Sequence, residues 1–350
     1  MKYKTPQRLQ KGDKVAILSP SAGLPSIFPW VYELGLKRLR EVFQLEPVEF
    51  PTARKSPEYL QRNPKARAED INTAFADNSI KAIIATIGGN DQIRILPYLN
   101  TDIIASNPKS FLGYSDNTNL HLILWNLGIV SYYGGHLMNQ FAMQGKMHDF
   151  TVHYLKKALF DPSLGEIQTS SEWTDCDLSW EDPQNLTQSR PMYKGDGWHW
   201  HDHENKRVEG KLWGGCLEAL DLHLCVKRYL PSLDQLDGSI LFLETSEEMP
   251  TEGFVYRFLA ALGELGILHK LKALLFGRPK AQFCGRMPSE GREAFIADQK
   301  QAVIRALKDY DCHLLTVFNL NFGHTDPQVI IPNGGTAVID GSKKTIHLVV

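Results

Sequence analysis

Lys81-Ala82-Ile83-Ile84-Ala85-Thr86 runs into the glycine loop Ile87-Gly88-Gly89-Asn90-Asp91, and Ser110-Phe111-Leu112-Gly113-Tyr114 runs into Ser115-Asp116-Asn117-Thr118 and the helical pattern Leu120-Leu127. Two further short apolar runs, Lys14-Ser19 and Val130-Tyr133, read as strands of the same kind. Short apolar runs alternating with longer helical patterns are the signature of a parallel sheet covered on both faces, so the first ~160 residues predict a doubly wound, flavodoxin-like α/β domain. Open sheets of this class bind ligands at the carboxyl ends of their strands, where Gly88-Gly89 and Gly134-Gly135-His136 fall.

Outward from that domain the pattern changes. Between about Gln168 and Arg207 the text turns polar and aromatic, with Trp173, Trp180, Trp198 and Trp200. A stretch this long without periodicity is functional or disordered, and four tryptophans argue against disorder. Beyond it come Gly210-Lys211-Leu212-Trp213-Gly214-Gly215, the apolar run Ser239-Leu243, a helix around Phe254-Leu262 and the strand Ala273-Gly277, which read as a second, smaller α/β domain. Ala337-Leu348 reads as a hairpin turning at Asp340-Gly341. The expected division is residues 1–167, a tryptophan-rich linker and substrate loop at 168–207, and residues 208–350.

Composition narrows the function. The 350 residues suit about two domains with buried cores. With 38 Lys+Arg against 40 Asp+Glu, the balance gives no electrostatic case for a nucleic-acid or anionic-membrane partner. The N-terminal text lacks the apolar core of a signal peptide or spanning helix, so a soluble cytoplasmic protein is expected. Five scattered cysteines without a C-x-x-C pair point to neither a disulfide framework nor a structural zinc site. The first strand leads into Ser19-Pro20-Ser21-Ala22-Gly23 rather than G-x-G-x-x-G, which weakens a nicotinamide-dependent Rossmann enzyme.

The chemistry-bearing candidates lie at strand ends. Ser115 sits at a sharp strand-to-helix turn that would expose a nucleophilic hydroxyl, although Asn117 stands where a nucleophile elbow has its second glycine, and a serine that only caps the helix suits the same turn. A serine hydroxyl needs a base. Among twelve histidines, His324 follows a probable strand in a turn closed by Pro327, and a hydrogen bond to Asp326 is the plain alternative. Glu244, at the end of Ser239-Leu243, would need a donor such as an imidazole if buried; an acidic rim of Glu244, Glu247 and Glu248 is the other reading.

Five segments, Ile87-Asp91, Gly113-Thr118, Leu212-Leu217, Leu241-Glu244 and Gly323-Pro327, in this order and over essentially the full length, resemble the LD-carboxypeptidase family of serine peptidases. The resemblance implies Ser115 as nucleophile, His324 as general base and acid, and Glu244 as the carboxylate orienting it. It also implies an oxyanion hole from backbone amides, here Gly89 and Asp116, with Gly88 lining the substrate, and a homodimer. No metal or organic cofactor is implied. Cys216 departs from the Gly-Gly-Asn-Leu pattern of many relatives, which removes a polar role there. The tryptophan-rich insert is similar to the branch that hydrolyses microcin C-type peptidyl- or aminoacyl-nucleotides, with Trp180 and Trp173 as candidates to stack on a base. The other branch acts on murein tetrapeptides. A non-catalytic ligand-binding protein using the same cleft is the alternative outside the enzymes.

Overall fold

The computed structural model describes residues 3–350. In chain order its strands begin with β1 (Lys14–Leu18), β2 (Glu46–Glu49), β3 (Ile80–Ala85), β4 (Ser110–Gly113) and β5 (Ser131–Tyr133). There follow β6 (Gly165–Ile167), β7 (Glu172–Trp173), β8 (Tyr193–Lys194), β9 (His199–His201), β10 (Arg207–Cys216), β11 (Ser239–Glu244), β12 (Leu271–Gly277), β13 (Leu315–Leu320), β14 (Ile331–Asn333), β15 (Thr336–Asp340) and β16 (Thr345–Val349).

The first sheet has the order β14-β5-β4-β3-β1-β2, parallel throughout except for β14. Leaving β14 aside, this is the 2-1-3-4-5 order of flavodoxin-like folds. β2, unforeseen from the sequence, is an edge strand whose Glu46-Pro47-Val48-Glu49 stays half exposed, as an edge that must resist further pairing tends to be. The second sheet runs β6-β16-β15-β10-β11-β12-β13-β9, with β10 to β13 parallel and antiparallel strands outside them. The two halves exchange edges. β14 comes from the C-terminal part of the chain, whereas β6 precedes the tryptophan-rich segment.

Strand periodicity divides the core. In β1, Val15 and Ile17 join one buried cluster and Ala16 and Leu18 another, as alternation across a sheet requires. In β11, Ile240 and Phe242 join the cluster that Val15 and Ile17 also belong to, while Leu241 and Leu243 pack on the far side. One continuous core therefore fills the space between the sheets. By the same parity Glu244 shares the face of Ile240 and Phe242.

β13 reaches that face by an irregularity. Leu315 and Val317 point into the shared core and Phe318 away from it. Asn319, at φ 62°, interrupts the ladder, so that Leu275 pairs with Val317 but Gly277 pairs with Leu320. A bulge of one residue flips the alternation. Leu320 and Phe322 consequently return to the shared core, on the side where Glu244 lies.

Residues 168–207 are more structured than their text suggests. β7 and β8 form a two-stranded ribbon, and His199–His201 adds β9 to the edge of the second sheet beside β13.

Candidate active site

Ser115 follows β4 with φ 60°, the left-handed region that costs a residue with a Cβ on the order of 1 kcal/mol or more. Short helical turns at 115–117 and then the helix Thr118–Asn126 begin immediately after it. The turn is held by groups with no freedom to leave. The Asp116 carboxylate accepts the backbone N–H of Asp91 at 3.0 Å and of Gln92 at 2.9 Å, Asn119 Nδ2 at 2.8 Å, and the Ser21 hydroxyl. Burial pushes this carboxyl above its usual range while those donors hold it down. Asn117 accepts from Gln92 Nε2 at 2.8 Å and donates to the carbonyls of Ile87 and Tyr114. The serine turn and the loop after β3 are thus one unit. A Cβ at Gly88 would stand 2.9 Å from Ser115 Cβ and 3.0 Å from its Oγ, which places that loop's backbone directly against the hydroxyl.

The backbone N–H of Ser115 donates to the Tyr133 hydroxyl at 3.1 Å, and that hydroxyl donates to Glu244 Oε1 at 2.6 Å. Burial and the adjacent carboxylate raise the Tyr133 phenol well above 10, so it stays a donor. With the Ser115 amide engaged, the backbone amides of its neighbour Asp116 and of Gly89, next to Gly88, make no hydrogen bond among the described residues.

Glu244 is 1% exposed, and its second oxygen, Oε2, accepts from His324 Nδ1 at 2.7 Å. A buried carboxylate survives desolvation only with strong donors, and a phenol and an imidazole supply them. Gly323 makes the approach possible: at φ 92°, a Cβ there would lie 2.6 Å from Glu244 Cγ. The alternative partner for His324 is excluded by geometry. Asp326 is instead taken by Gln140, by Arg190 at 3.3 Å and by backbone pairing with Thr174.

The other ring nitrogen of His324 carries the largest departure from expectation. Nε2, the atom a base would turn toward Ser115, lies 3.0 Å from Glu247 Oε2. Burial by itself would lower the imidazole's pKa, but Glu244 and Glu247 outweigh it and raise it well above 6.5. Reciprocally, Glu247 is held down to about 2, since the imidazolium overrides the upward push of burial. The structure therefore joins Glu244 to His324 directly and to Ser115 through Tyr133. Between Ser115 Oγ and His324 it shows no hydrogen bond among the described residues.

The two tryptophans offered as stacking surfaces fare differently. Trp173 is 7% exposed with the Arg278 guanidinium 4.5 Å over its ring and Tyr193 at 5.4 Å, so the ring is already used. Trp180 is half-buried, edge-on to Phe28 at 5.6 Å, with its carbonyl accepting from Trp30 Nε1. Cys216 faces Glu218, whose carboxyl accepts from the thiol and from Ser246. Tyr133 went unforeseen because a buried aromatic in a strand carries no motif, and His136 was legible only as part of a glycine loop at a strand end. Glu247 was visible only as part of an acidic run.

The description "LD-carboxypeptidase N-terminal domain" matches residues 15–134, and "LD-carboxypeptidase C-terminal domain" matches residues 209–339. YocD of Bacillus subtilis, named as a carboxypeptidase, is 30% identical over 97% of each chain. The microcin C7 self-immunity protein MccF of Escherichia coli is 27% identical over 81% of this chain and 78% of its own. Among solved structures, an MccF-like protein from Streptococcus pneumoniae in complex with AMP superposes with a TM-score of 0.85 at 32% identity, over 96% of this chain and 98% of that one.

Proposed function

The chain belongs to the LD-carboxypeptidase family of peptidases, and from that premise we propose that it is a serine hydrolase with Ser115, His324 and Glu244 as its triad. The observation that carries this reading is the chain of contacts Ser115 N–H to Tyr133 hydroxyl to Glu244 to His324, which links three sequence-distant residues that lie at or just after the ends of the parallel strands β4, β11 and β13. The strained φ of Ser115 supports a nucleophile over a simple helix cap, because a cap sits in the extended region without strain.

In the proposed reaction His324 Nε2 must be unprotonated and turned to Ser115, so Glu247 has to release it first. Ser115 Oγ then bonds the scissile carbonyl carbon as its proton passes to Nε2. The amides of Gly89 and Asp116 hold the resulting oxyanion, and Glu244 keeps the imidazolium oriented. The carbon–nitrogen bond breaks as Nε2 returns the proton to the leaving amine. Water, deprotonated by the same nitrogen, then frees the acyl group.

The substrate proposed is a peptidyl- or aminoacyl-nucleotide of the microcin C type. Support comes from the full-length likeness to the MccF-like protein bound to AMP, and from the half-buried Trp180 within residues 168–207, a segment that Thr174 and Arg190 tether to Asp326 near His324. An indole face adds about 1–3 kcal/mol of stacking on a base. The test is hydrolysis of aspartyl sulfamoyl adenosine beside a murein tetrapeptide. Cleavage of the nucleoside conjugate, lost in Ser115→Ala, is expected. Cleavage of the tetrapeptide alone would move the chain to the murein branch, and cleavage of neither, with tight nucleotide binding, to a ligand-binding role.

A further inference from the structure

His136 follows β5 in Gly134-Gly135-His136, is 1% exposed, and has no part in the proposed triad. Its protonation can be read from its neighbours. The Leu120 backbone N–H donates to Gln92 Oε1, so Gln92 presents Nε2 to Asn117 Oδ1. Asn117 must then present its Nδ2 to His136 Nε2, at 2.9 Å, and the Tyr114 backbone N–H donates to the same nitrogen at 3.1 Å. A nitrogen that accepts two hydrogen bonds carries no proton. Burial, then the charge of His324, drive the ring's pKa well below 6.5. The ring is neutral with its proton on Nδ1.

That Nδ1–H is buried and has no acceptor among the described residues. A buried, unpaired donor costs about 1–3 kcal/mol, so a chain of backbone-anchored contacts is maintaining an unfavourable group. Its position suggests why. The ring stacks on Tyr114 at 4.0 Å, and its Cε1, the carbon between the two nitrogens, lies 3.4 Å from the point a Gly88 Cβ would occupy, the same point that is 3.0 Å from Ser115 Oγ. The ring carrying this unpaired N–H thus lies against the same loop as the serine hydroxyl.

Resting on the serine-hydrolase reading above, we infer that His136 is a further catalytic hydrogen-bond donor, giving its Nδ1–H to the carbonyl oxygen of the scissile group as that oxygen becomes negative. A neutral imidazole suits this role: its proton is not transferred, and it adds no positive charge beside His324, which must itself gain a proton. Nδ1 is buried in the substrate-free structure, so the proposed hydrogen bond forms only with substrate in the site.

Two substitutions separate this role from a structural one. His136→Gln can place an acceptor near Nε2, keeping the Tyr114 and Asn117 contacts while deleting the Nδ1 donor; His136→Asn does the reverse. With aspartyl sulfamoyl adenosine as substrate, His136→Gln should lose about 10²-fold in kcat with KM within about threefold, the cost of one oxyanion donor. His136→Asn should keep more kcat than His136→Gln despite a lower Tm. The opposite ranking, or a wild-type kcat in His136→Gln, overturns the inference. So does nitrogen-15 NMR of the wild-type protein showing the His136 proton on Nε2. Should Ser115→Ala retain turnover, the serine-hydrolase reading itself fails, whatever His136 does; a dead Ser115→Ala with an unaffected His136→Gln sinks this inference alone.

Discussion

The serine turn and the histidine loop reach the same site by different means. Around Ser115 the polar groups are tied to backbone: Asp116 by two amides, Asn117 by two carbonyls, and Ser115 N–H by Tyr133. Around His324 one nitrogen is fixed by buried Glu244, and the other is held by Glu247, which lies on the loop after β11 and keeps more than a third of its side chain exposed. One side is finished before substrate arrives, and the other has a contact to give up. Preorganisation makes an oxyanion site effective, while a base must change its protonation state and can be regulated by what sits on it.

That contrast orders the expected effects of mutation. Ser115→Ala should abolish hydrolysis, by at least about 10³-fold, with folding unchanged because alanine keeps the same Cβ in the same turn; single-turnover assays and thermal unfolding check both. Glu244→Gln should lose about 10²–10⁴-fold in kcat, since an amide can offer His324 the wrong partner and the tautomer is no longer imposed. A rate within threefold of wild type there would remove Glu244 from the mechanism.

Smaller effects distinguish the two sides further. Gly323→Ala forces a Cβ into Glu244 and should lower stability by about 1–3 kcal/mol, with a loss of kcat that tracks displacement of His324. Tyr133→Phe removes the hydroxyl shared by the serine turn and Glu244, so it should cost about 1–3 kcal/mol in denaturant unfolding. Glu247→Gln acts only on the histidine side. Removing a carboxylate that raises the His324 pKa lets the ring lose its proton at lower pH, so the rising acidic limb of kcat/KM should move to lower pH with little change on the plateau. An unmoved limb would mean that Glu247 does not govern the base.

The sheet of the first domain was readable because β1, β3, β4 and β5 are short buried runs separated by helical text, and β3 and β5 end in glycine loops. Ser115, Glu244 and His324 each stand at a strand end, which is a sequence-level address. Their meeting was not readable. It depends on the Asn319 bulge, which changes which side of β13 faces Glu244, and on Gly323, whose need appears only when Glu244 is packed against it. The role of an indole is unreadable for a related reason: exposure decides whether it can stack on a ligand, and Trp173 packs against Arg278. β2 and β9 escaped because edge strands bury one side at most and carry polar text.

The central claim is that Ser115 is a nucleophile activated by His324. Treating the wild-type protein with a fluorophosphonate and mapping the adduct by peptide mass spectrometry addresses it without assuming a substrate. The account predicts one phosphonyl group on Ser115, forming much more slowly in His324→Ala and absent in Ser115→Ala. An unlabelled wild-type protein, or an adduct carried by a different residue, would contradict it.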